Sequence, residues 1–128
     1  MTLSIEEARG LALTAQGFAA RVGAVNTLVP TAAGTWTGHN TDGVGMLGAL
    51  GPALSGAPRR VAVLGTGGAA RAAAFALAEA GHEVRILGRR PAAAQALASE
   101  LGPPAAGEAL AALAALSAQP FDVLVNAT

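Results

Sequence analysis

The feature that most constrains the fold is the stretch "VAVLGTGGAARAAAFAL", residues 61–77. A short apolar run ends at Leu64, a glycine-rich turn follows, and an alanine-rich segment of high helix propensity begins directly after it. Gly65, Gly67 and Ala70 stand in the pattern G-x-G-x-x-G/A, which between a strand and a helix is typical of a dinucleotide-binding turn. We therefore predict a pyrophosphate site at the helix N-terminus. The alternative is a glycine-rich turn that binds no ligand.

The segments around this turn predict a parallel, doubly wound sheet. Buried strands are expected in "RRVAVLG" and "HEVRILG", and a last strand in "FDVLVNAT". We predict a helix closed by Gly81, a helix with Pro91 in its first turn, and a further helix over "GEALAALAALSA". Strand, helix, strand, helix, helix, strand is an order typical of α/β folds with a parallel sheet.

The first half of the chain is less regular. Ser4 and Glu7 have the spacing of a capping box, so we predict a helix from Ser4 that its glycines divide into two short helices. "AVNTLVPTAAGTWTGHNT" predicts a hairpin with Gly34 in its turn, and a short helix is expected from about Asp42. Glycine and proline in "GPALSGAP" indicate a boundary.

Composition argues against several classes of function. The sequence is 52% hydrophobic and only 12% charged, and eight acidic residues balance eight basic ones, so no nucleic-acid or membrane-surface partner is expected. With no cysteine, and with His39 and His82 far apart, we predict no metal site. We found no apolar run of about 18 residues and no signal-peptide pattern, and we expect a cytoplasmic protein.

The end of the second predicted strand bears on the choice of dinucleotide. Many NAD-binding proteins place a carboxylate there to bind the ribose, whereas this chain has Gly88, Arg89 and Arg90. Two guanidinium groups without an acid suit a ribose 2′-phosphate. We therefore favour NADP over NAD. The alternative is a pair of merely solvated arginines.

Five motifs together resemble the shikimate dehydrogenase family in their order and spacing: "GAVNTL", "GHNTDGVG", "VLGTGGAARA", "GRRP" and "DVLVNAT". The resemblance implies an α/β fold, with an NAD(P)-binding Rossmann-like parallel sheet preceded by the C-terminal part of a smaller α/β substrate domain. It implies a partial substrate-binding domain and connecting helix over residues 1–57 and a partial NADP-binding Rossmann domain over residues 58–128. The implied activity is the reversible, NADP-dependent reduction of 3-dehydroshikimate to shikimate in aromatic amino acid biosynthesis, by the chorismate pathway.

The resemblance also implies roles for individual residues. Thr2, Asn26 and Asp42 match substrate-binding positions, and Asp42 also matches the acidic member of the family's catalytic Lys/Asp pair. The implied cofactor positions come from the diphosphate loop, the arginine motif and the terminal "NAT". They are Gly65, Thr66, Gly67, Gly68, Ala69, Arg89, Arg90, Asn126 and Thr128.

Two departures from the family pattern bear on activity. Glu6 takes the place of the catalytic lysine, and the chain contains no lysine at all. Gly88 replaces the usual asparagine before the arginine. A carboxylate at residue 6 offers no positive charge to a developing alkoxide, so we expect turnover to be very low or absent. Genuine loss of the lysine and drifted or mis-assigned first residues are both open as explanations.

Three hypotheses follow. The chain is a partial shikimate dehydrogenase that is weak or inactive alone, a non-catalytic nucleotide-binding fragment, or a related dehydrogenase such as one acting on quinate. The remaining family segments would lie before Met1 and after Thr128, so an open sheet edge is expected. Such an edge favours self-association, for example as a homodimer.

Overall fold

A computed structural model describes residues 2–8, 10–32, 34–113 and 121–128 of the chain. Its helices and strands alternate along most of the sequence. In chain order they are β1 (Leu3–Ser4), β2 (Leu13–Ala15), α1 (Gly17–Val22), β3 (Ala24–Val25), β4 (Thr27–Pro30), β5 (Trp36–His39), α2 (Asp42–Leu54), β6 (Arg60–Leu64), α3 (Gly68–Glu79), β7 (Glu83–Gly88), α4 (Pro91–Leu101), β8 (Ala106–Ala109), the 3-10 turn η1 (Leu110–Ala112) and β9 (Val123–Asn126).

The largest sheet has four parallel strands in the order β8, β7, β6, β9. Helix α3 joins β6 to β7, and α4 joins β7 to β8. Because β7 lies on one side of β6 and β9 on the other, the strand order reverses beside β6, and ligands of α/β proteins bind at such a point. The structure confirms the predicted α/β fold with its Rossmann-like parallel sheet.

Both faces of this sheet are covered, which explains the continuous apolar runs in its sequence. On β6, Val61 and Val63 belong to the core shared with α3 and α4, whereas Ala62 and Leu64 face a smaller cluster that includes Leu110. The helices contribute mainly small side chains to the core, which lets their backbones lie close to the strands. The buried alanines of this core are Ala70, Ala73, Ala74, Ala94 and Ala98.

The first part of the chain forms two smaller sheets. Strand β5 lies between β2, to which it is parallel, and β4, to which it is antiparallel. Strand β1 pairs antiparallel with β3. The predicted hairpin is present as β4 and β5, and Gly34 adopts a φ of +81° in the turn. Within the described residues, no helix is both long and apolar enough to cross a bilayer.

The predicted helix from Ser4 is wrong, although its sequence signal produces the expected hydrogen bonds. The Ser4 N–H donates to the Glu7 carboxylate at 2.7 Å, and the Glu7 N–H donates to the Ser4 hydroxyl at 3.0 Å. These bonds lower the pKa of Glu7. They close a turn instead of a helix, because Leu3 and Ser4 pair with β3. Of the two short helices expected, the described residues form only α1, and Leu13–Ala15 form strand β2 instead.

The helix predicted over "GEALAALAALSA" is also wrong in its first part. Strand β8 occupies Ala106–Ala109 and η1 follows it, while residues 114–120 lie outside the described residues. Gly107 shows how closely this strand packs on α4. A Cβ on Gly107 would lie 2.2 Å from the Ala94 carbonyl group, so β8 passes directly over the backbone of α4.

Helix α2 begins at Asp42 as expected but is longer than expected. It continues to Leu54 through its glycines and Pro52. Met46, Leu47 and Leu54 pack against the main core, and this tertiary contact outweighs the low helix propensity of the glycines.

Candidate functional site

Two glycines shape the loop between β6 and α3 for different reasons. Gly65 has a φ of +118°, and a Cβ there would lie 2.7 Å from the Ala127 carbonyl oxygen, so the fold itself requires glycine. Gly67 has a φ of −80°, and apart from its immediate chain neighbours no described residue has an atom within 4 Å of the place its Cβ would take. The space in front of Gly67 is therefore open to a ligand. The first turn of α3 carries no acidic residue, so the helix dipole there is free to attract an anion.

A cleft of about 580 Å³ lies between this loop and the carboxyl ends of β7 and β9. Six of the nine predicted cofactor residues line it, namely Gly65, Thr66, Gly67, Arg89, Arg90 and Thr128. Gly68 and Ala69, two others, are the first two residues of α3. The structure thus places the diphosphate loop and the arginine motif on one cleft, at the point where the strand order reverses.

The last predicted cofactor residue, Asn126, ends β9 and organises the segment behind the cleft. Its side-chain oxygen accepts hydrogen bonds from the Thr128 N–H at 3.2 Å and the Thr128 hydroxyl at 2.7 Å. The Ala127 N–H donates to the Leu64 carbonyl at 2.9 Å. This keeps the "NAT" segment against Gly65, where the Ala127 carbonyl closes the floor of the loop.

The charge of the cleft favours a phosphate. Arg89 and Arg90 are exposed at its rim, and none of the described residues that line it is acidic. Three apolar lining residues, Leu87, Leu110 and Ala127, were missed by the sequence analysis. Leu110 could have been found only if β8 had been recognised as a strand. The segment that follows β8 then starts at the same edge of the sheet as the segments that follow β6 and β7.

The three predicted substrate residues form one polar cluster in the first part of the chain. The Thr2 hydroxyl donates to Asp42 Oδ2 at 2.5 Å, and Asn26 Nδ2 donates to Asp42 Oδ1 at 2.7 Å. Asn26 Nδ2 also lies 3.0 Å from the Thr41 hydroxyl oxygen, and Asn26 Oδ1 accepts from the Thr41 N–H at 3.1 Å. Both carboxylate oxygens of Asp42 are therefore oriented by neighbouring donors. All three substrate residues are partly exposed, so the cluster is open to a ligand.

Asp42 owes its place to two supports at the start of α2. Asn40, which is buried, accepts a hydrogen bond from the Asp42 N–H at 2.9 Å and donates to the Ala24 carbonyl at 3.1 Å. Gly43 lets α2 approach closely, since a Cβ there would lie 2.6 Å from the Phe18 ring. A carboxylate in the first helical turn is also favoured by the helix dipole. Asp42 thus keeps its side chain for the cluster, while Asn40 binds the helix backbone.

Thr2 connects this cluster to the glycine loop. A Cβ on Gly68 would lie 3.0 Å from Thr2 Cγ2 and 3.2 Å from the Thr2 carbonyl oxygen. The residue whose hydroxyl binds Asp42 therefore rests on the first residue of α3. Thr2 thus links the polar cluster directly to the glycine loop.

Glu6 lies in the exposed turn that follows β1. The hydrogen bonds described for the Asp42 carboxylate come from Thr2 and Asn26. Of the two histidines, His82 accepts a hydrogen bond from the Arg59 N–H at 3.0 Å through Nδ1 and so supports the segment before β6. The part of the chain that the structure describes contains no group of three His, Cys, Asp or Glu residues able to hold a metal ion.

Comparison with known families agrees with this geometry. Residues 60–125 match the model of a family described as NADP oxidoreductase, coenzyme F420-dependent. The match covers just over half of the chain and includes nearly all of the parallel sheet. The fold and the cleft thus define the class, and the chain belongs to this family of NADP-binding oxidoreductases.

Individual relatives narrow the assignment. The NADP(+) shikimate dehydrogenase of Haloarcula marismortui is 49% identical over 113 residues, which cover 86% of this chain and 40% of that protein. A crystal structure of shikimate 5-dehydrogenase from Thermus thermophilus in complex with NADP(H) and shikimate matches with a TM-score of 0.75 and 39% identity, over 98% of this chain and 44% of that one. The chain belongs to the shikimate dehydrogenase family and spans less than half the length of these relatives.

A third comparison is with a neighbouring activity. A quinate dehydrogenase from Corynebacterium glutamicum, solved in complex with NAD, matches with a TM-score of 0.78 and 30% identity over 98% of this chain and 46% of that one. The same architecture therefore occurs with another polyol acid and another dinucleotide.

Proposed function

We propose that this chain carries the NADP site and part of the shikimate site of a shikimate dehydrogenase, which reduces 3-dehydroshikimate reversibly to shikimate. The observation that carries the proposal is the contact of Thr2 with both Asp42 and Gly68. A dehydrogenase needs its substrate within reach of the nicotinamide, and one residue here adjoins both groups of binding residues. We divide the chain at residues 1–57 for the substrate part and 58–128 for the cofactor part, in the segment between α2 and β6.

The residues of the cleft suit a dinucleotide phosphate. The open space at Gly67 admits a pyrophosphate, and the N–H groups of the first turn of α3 donate to it. Arg89 and Arg90 would hold the ribose 2′-phosphate, because guanidinium groups bind phosphate through paired hydrogen bonds. Asn126 and Thr128 stabilise the strand end beside the loop. When bound, NADPH supplies the hydride.

The polar cluster suits a substrate with several hydroxyl groups. Asp42, with both oxygens already oriented by Thr2 and Asn26, is a hydrogen-bond acceptor for a hydroxyl of the substrate. Asn26 and Thr2 offer further polar atoms at the same place. Carboxylate and amide groups that are held in advance lose little conformational entropy when a polyol binds.

The proton and charge requirements of the reaction are met poorly. A ketone oxygen that becomes an alkoxide needs a proton donor or a positive charge. Glu6 stands where the family has its lysine, and no residue of the chain is a lysine. We therefore propose that shikimate oxidation by this chain is very slow or absent and that Glu6→Lys raises it. Substantial NADP+ reduction by the unmodified chain would overturn this part.

Binding measurements test the proposal as a whole. Titration calorimetry with NADP+ and with shikimate is expected to show that each binds. Gly67→Ala should weaken NADP+ binding by about tenfold or more, since a Cβ would obstruct the pyrophosphate, and should leave the thermal midpoint unchanged. Asp42→Asn should weaken shikimate binding only.

Other results of the same titrations separate the alternatives. Binding of NADP+ without shikimate would indicate the non-catalytic nucleotide-binding module, and binding of neither would refute the proposal. The likeness to the quinate dehydrogenase makes quinate and NAD+ the competing ligands to titrate.

The proposal includes a cytoplasmic location and a role in aromatic amino acid biosynthesis. It also includes self-association through the open edge at β9, where Leu124 is 52% exposed, which light scattering checks.

A further inference from the structure

Thr66 and Gly88 meet in the cleft, next to Arg89 and Arg90. A Cβ on Gly88 would lie 2.9 Å from Thr66 Cγ2, closer than two unbonded carbons approach. The next nearest atoms, the Arg90 carbonyl oxygen at 3.5 Å and the Ala94 Cβ at 3.6 Å, are at ordinary contact distances. The methyl group of Thr66 is therefore the main obstacle to a side chain at residue 88.

The backbone at residue 88 does not itself require glycine. Gly88 ends strand β7 and is not among the glycines with positive φ. Glycine within a strand costs stability and often marks the close approach of another group. The group that approaches here is the Thr66 methyl, and threonine, being branched at Cβ, has few rotamers with which to withdraw it.

Residue 88 also has a decisive position for the choice of dinucleotide. It lies roughly 20 residues beyond the glycine loop at the end of the second strand, where dinucleotide-binding domains place the acid that binds an NAD ribose. In this chain Gly88 lines the cleft beside Arg89 and Arg90. A carboxylate at residue 88 would therefore favour NAD, and its absence favours NADP.

We propose that Thr66 is a specificity-determining residue whose methyl group excludes a side chain, and with it a carboxylate, from residue 88. The cleft is then left to the two arginines and to a ribose that carries a 2′-phosphate. Thr66 and Gly88 act as one steric unit, so a side chain at residue 88 requires that the Thr66 methyl group be removed. This inference rests on the proposed binding of a dinucleotide in the cleft.

The test is a double-mutant cycle on the full chain, read as the ratio of the Kd values for NAD+ and NADP+. Thr66→Ser removes the methyl group and keeps the hydroxyl, and its own change in the ratio is the reference against which the double variant is compared. Gly88→Asp alone should not improve NAD+ binding, because Thr66 blocks the new side chain. Thr66→Ser with Gly88→Asp should shift the ratio toward NAD+ by about tenfold beyond the product of the single changes. The matched control is Thr66→Val with Gly88→Asp, which keeps the methyl group. Its ratio of Kd values should equal that of Gly88→Asp alone.

A second readout does not depend on the ligand. Gly88→Ala should lower the thermal midpoint, and Thr66→Ser should restore most of the loss. Additive effects in both cycles, or a shift toward NAD+ from Gly88→Asp alone, would overturn the steric coupling. Wild-type protein that binds neither dinucleotide would overturn the proposed function and the specificity claim with it, even where the thermal cycle is coupled.

Discussion

Arg71 belongs to the glycine-loop motif, yet it joins the two parts of the chain instead of lining the cleft. Its Nε–H donates to the Val22 carbonyl at 2.9 Å, at the C-terminal end of α1. Its two terminal nitrogens donate to the Glu100 carboxylate on α4 at 2.8 and 3.0 Å. One side chain in the first turns of α3 thus connects the first part of the chain to the parallel-sheet part. We predict that Arg71→Met loosens this connection.

The magnitude follows from the two partners of Arg71. Loss of the partly buried hydrogen bond to Val22 should cost about 1.5–2 kcal/mol, the lower range for a bond to a charged group. The Glu100 side chain is 48% exposed, so the ion pair is screened by water and contributes at most about 1 kcal/mol. Together these losses should lower the free energy of unfolding by roughly 1.5–3 kcal/mol, which lowers the thermal midpoint by about 5–15 °C in a chain of this size.

Urea unfolding of wild type and three variants separates these contributions. Glu100→Gln removes the ion pair and leaves the bond to Val22, so the free energy of unfolding should fall by less than about 1 kcal/mol. Arg71→Lys keeps a positive charge but cannot bond to both partners at once. Its free energy of unfolding should therefore lie between those of wild type and Arg71→Met. If Arg71→Met destabilises the protein no more than Glu100→Gln does, the connection to α1 contributes nothing and the interpretation is wrong.

Two further predictions concern the glycine loop and acid stability. Gly65→Ala should cost at least about 1–2 kcal/mol from its positive φ alone, and more from its contact with the Ala127 carbonyl, whereas Gly67→Ala should not change the thermal midpoint in calorimetry. Hydrogen bonds from Arg71 lower the pKa of Glu100 below its usual 4.5, so the stabilisation by this pair is present above that pH and is lost as the pH falls through the lowered pKa. The stability difference between wild type and Glu100→Gln should therefore shrink as the pH is lowered in acid unfolding scans, and a difference that grows with falling pH would contradict it.

The parallel-sheet part could be predicted from sequence because its signals are local and agree with one another. The run from β6 to α4 alternates buried strands with alanine-rich helices, and each helix has a boundary residue beside it. Pro91 is the first residue of α4, and Gly81 lies in the short turn between α3 and β7. Propensity, hydrophobic pattern and turn chemistry all favour the same structure here, which is the condition for a reliable prediction.

The errors lie where pairing between distant residues decides the structure. The capping bonds of Ser4 and Glu7 form as predicted, but β1 is fixed by pairing with β3, which no local pattern reports. Strand β8, "AGEA", has no β-branched or aromatic residue and is a strand because it extends the sheet beside β7. The candidate site shows the same difference between local sequence signals and contacts between distant residues. Motifs identified Thr2, Asn26 and Asp42 separately, and only the fold brings them together.

The glycines of the site show what the structure adds to a motif. In the sequence, Gly65, Gly67 and Gly68 are one glycine-rich loop, and Gly88 is a departure from a family pattern. In the structure three of the four have a steric cause: Gly65 is required by its φ and by Ala127, Gly68 by Thr2, and Gly88 by the Thr66 methyl group. Gly67, like several other described glycines, has open space at its Cβ position, so binding of NADP+ by Gly67→Ala is the measurement that tests its predicted role. A Cβ at Gly68 would instead push against Thr2, whose hydroxyl donates to Asp42, so a substitution there should disturb the polar cluster of Thr2, Asn26 and Asp42.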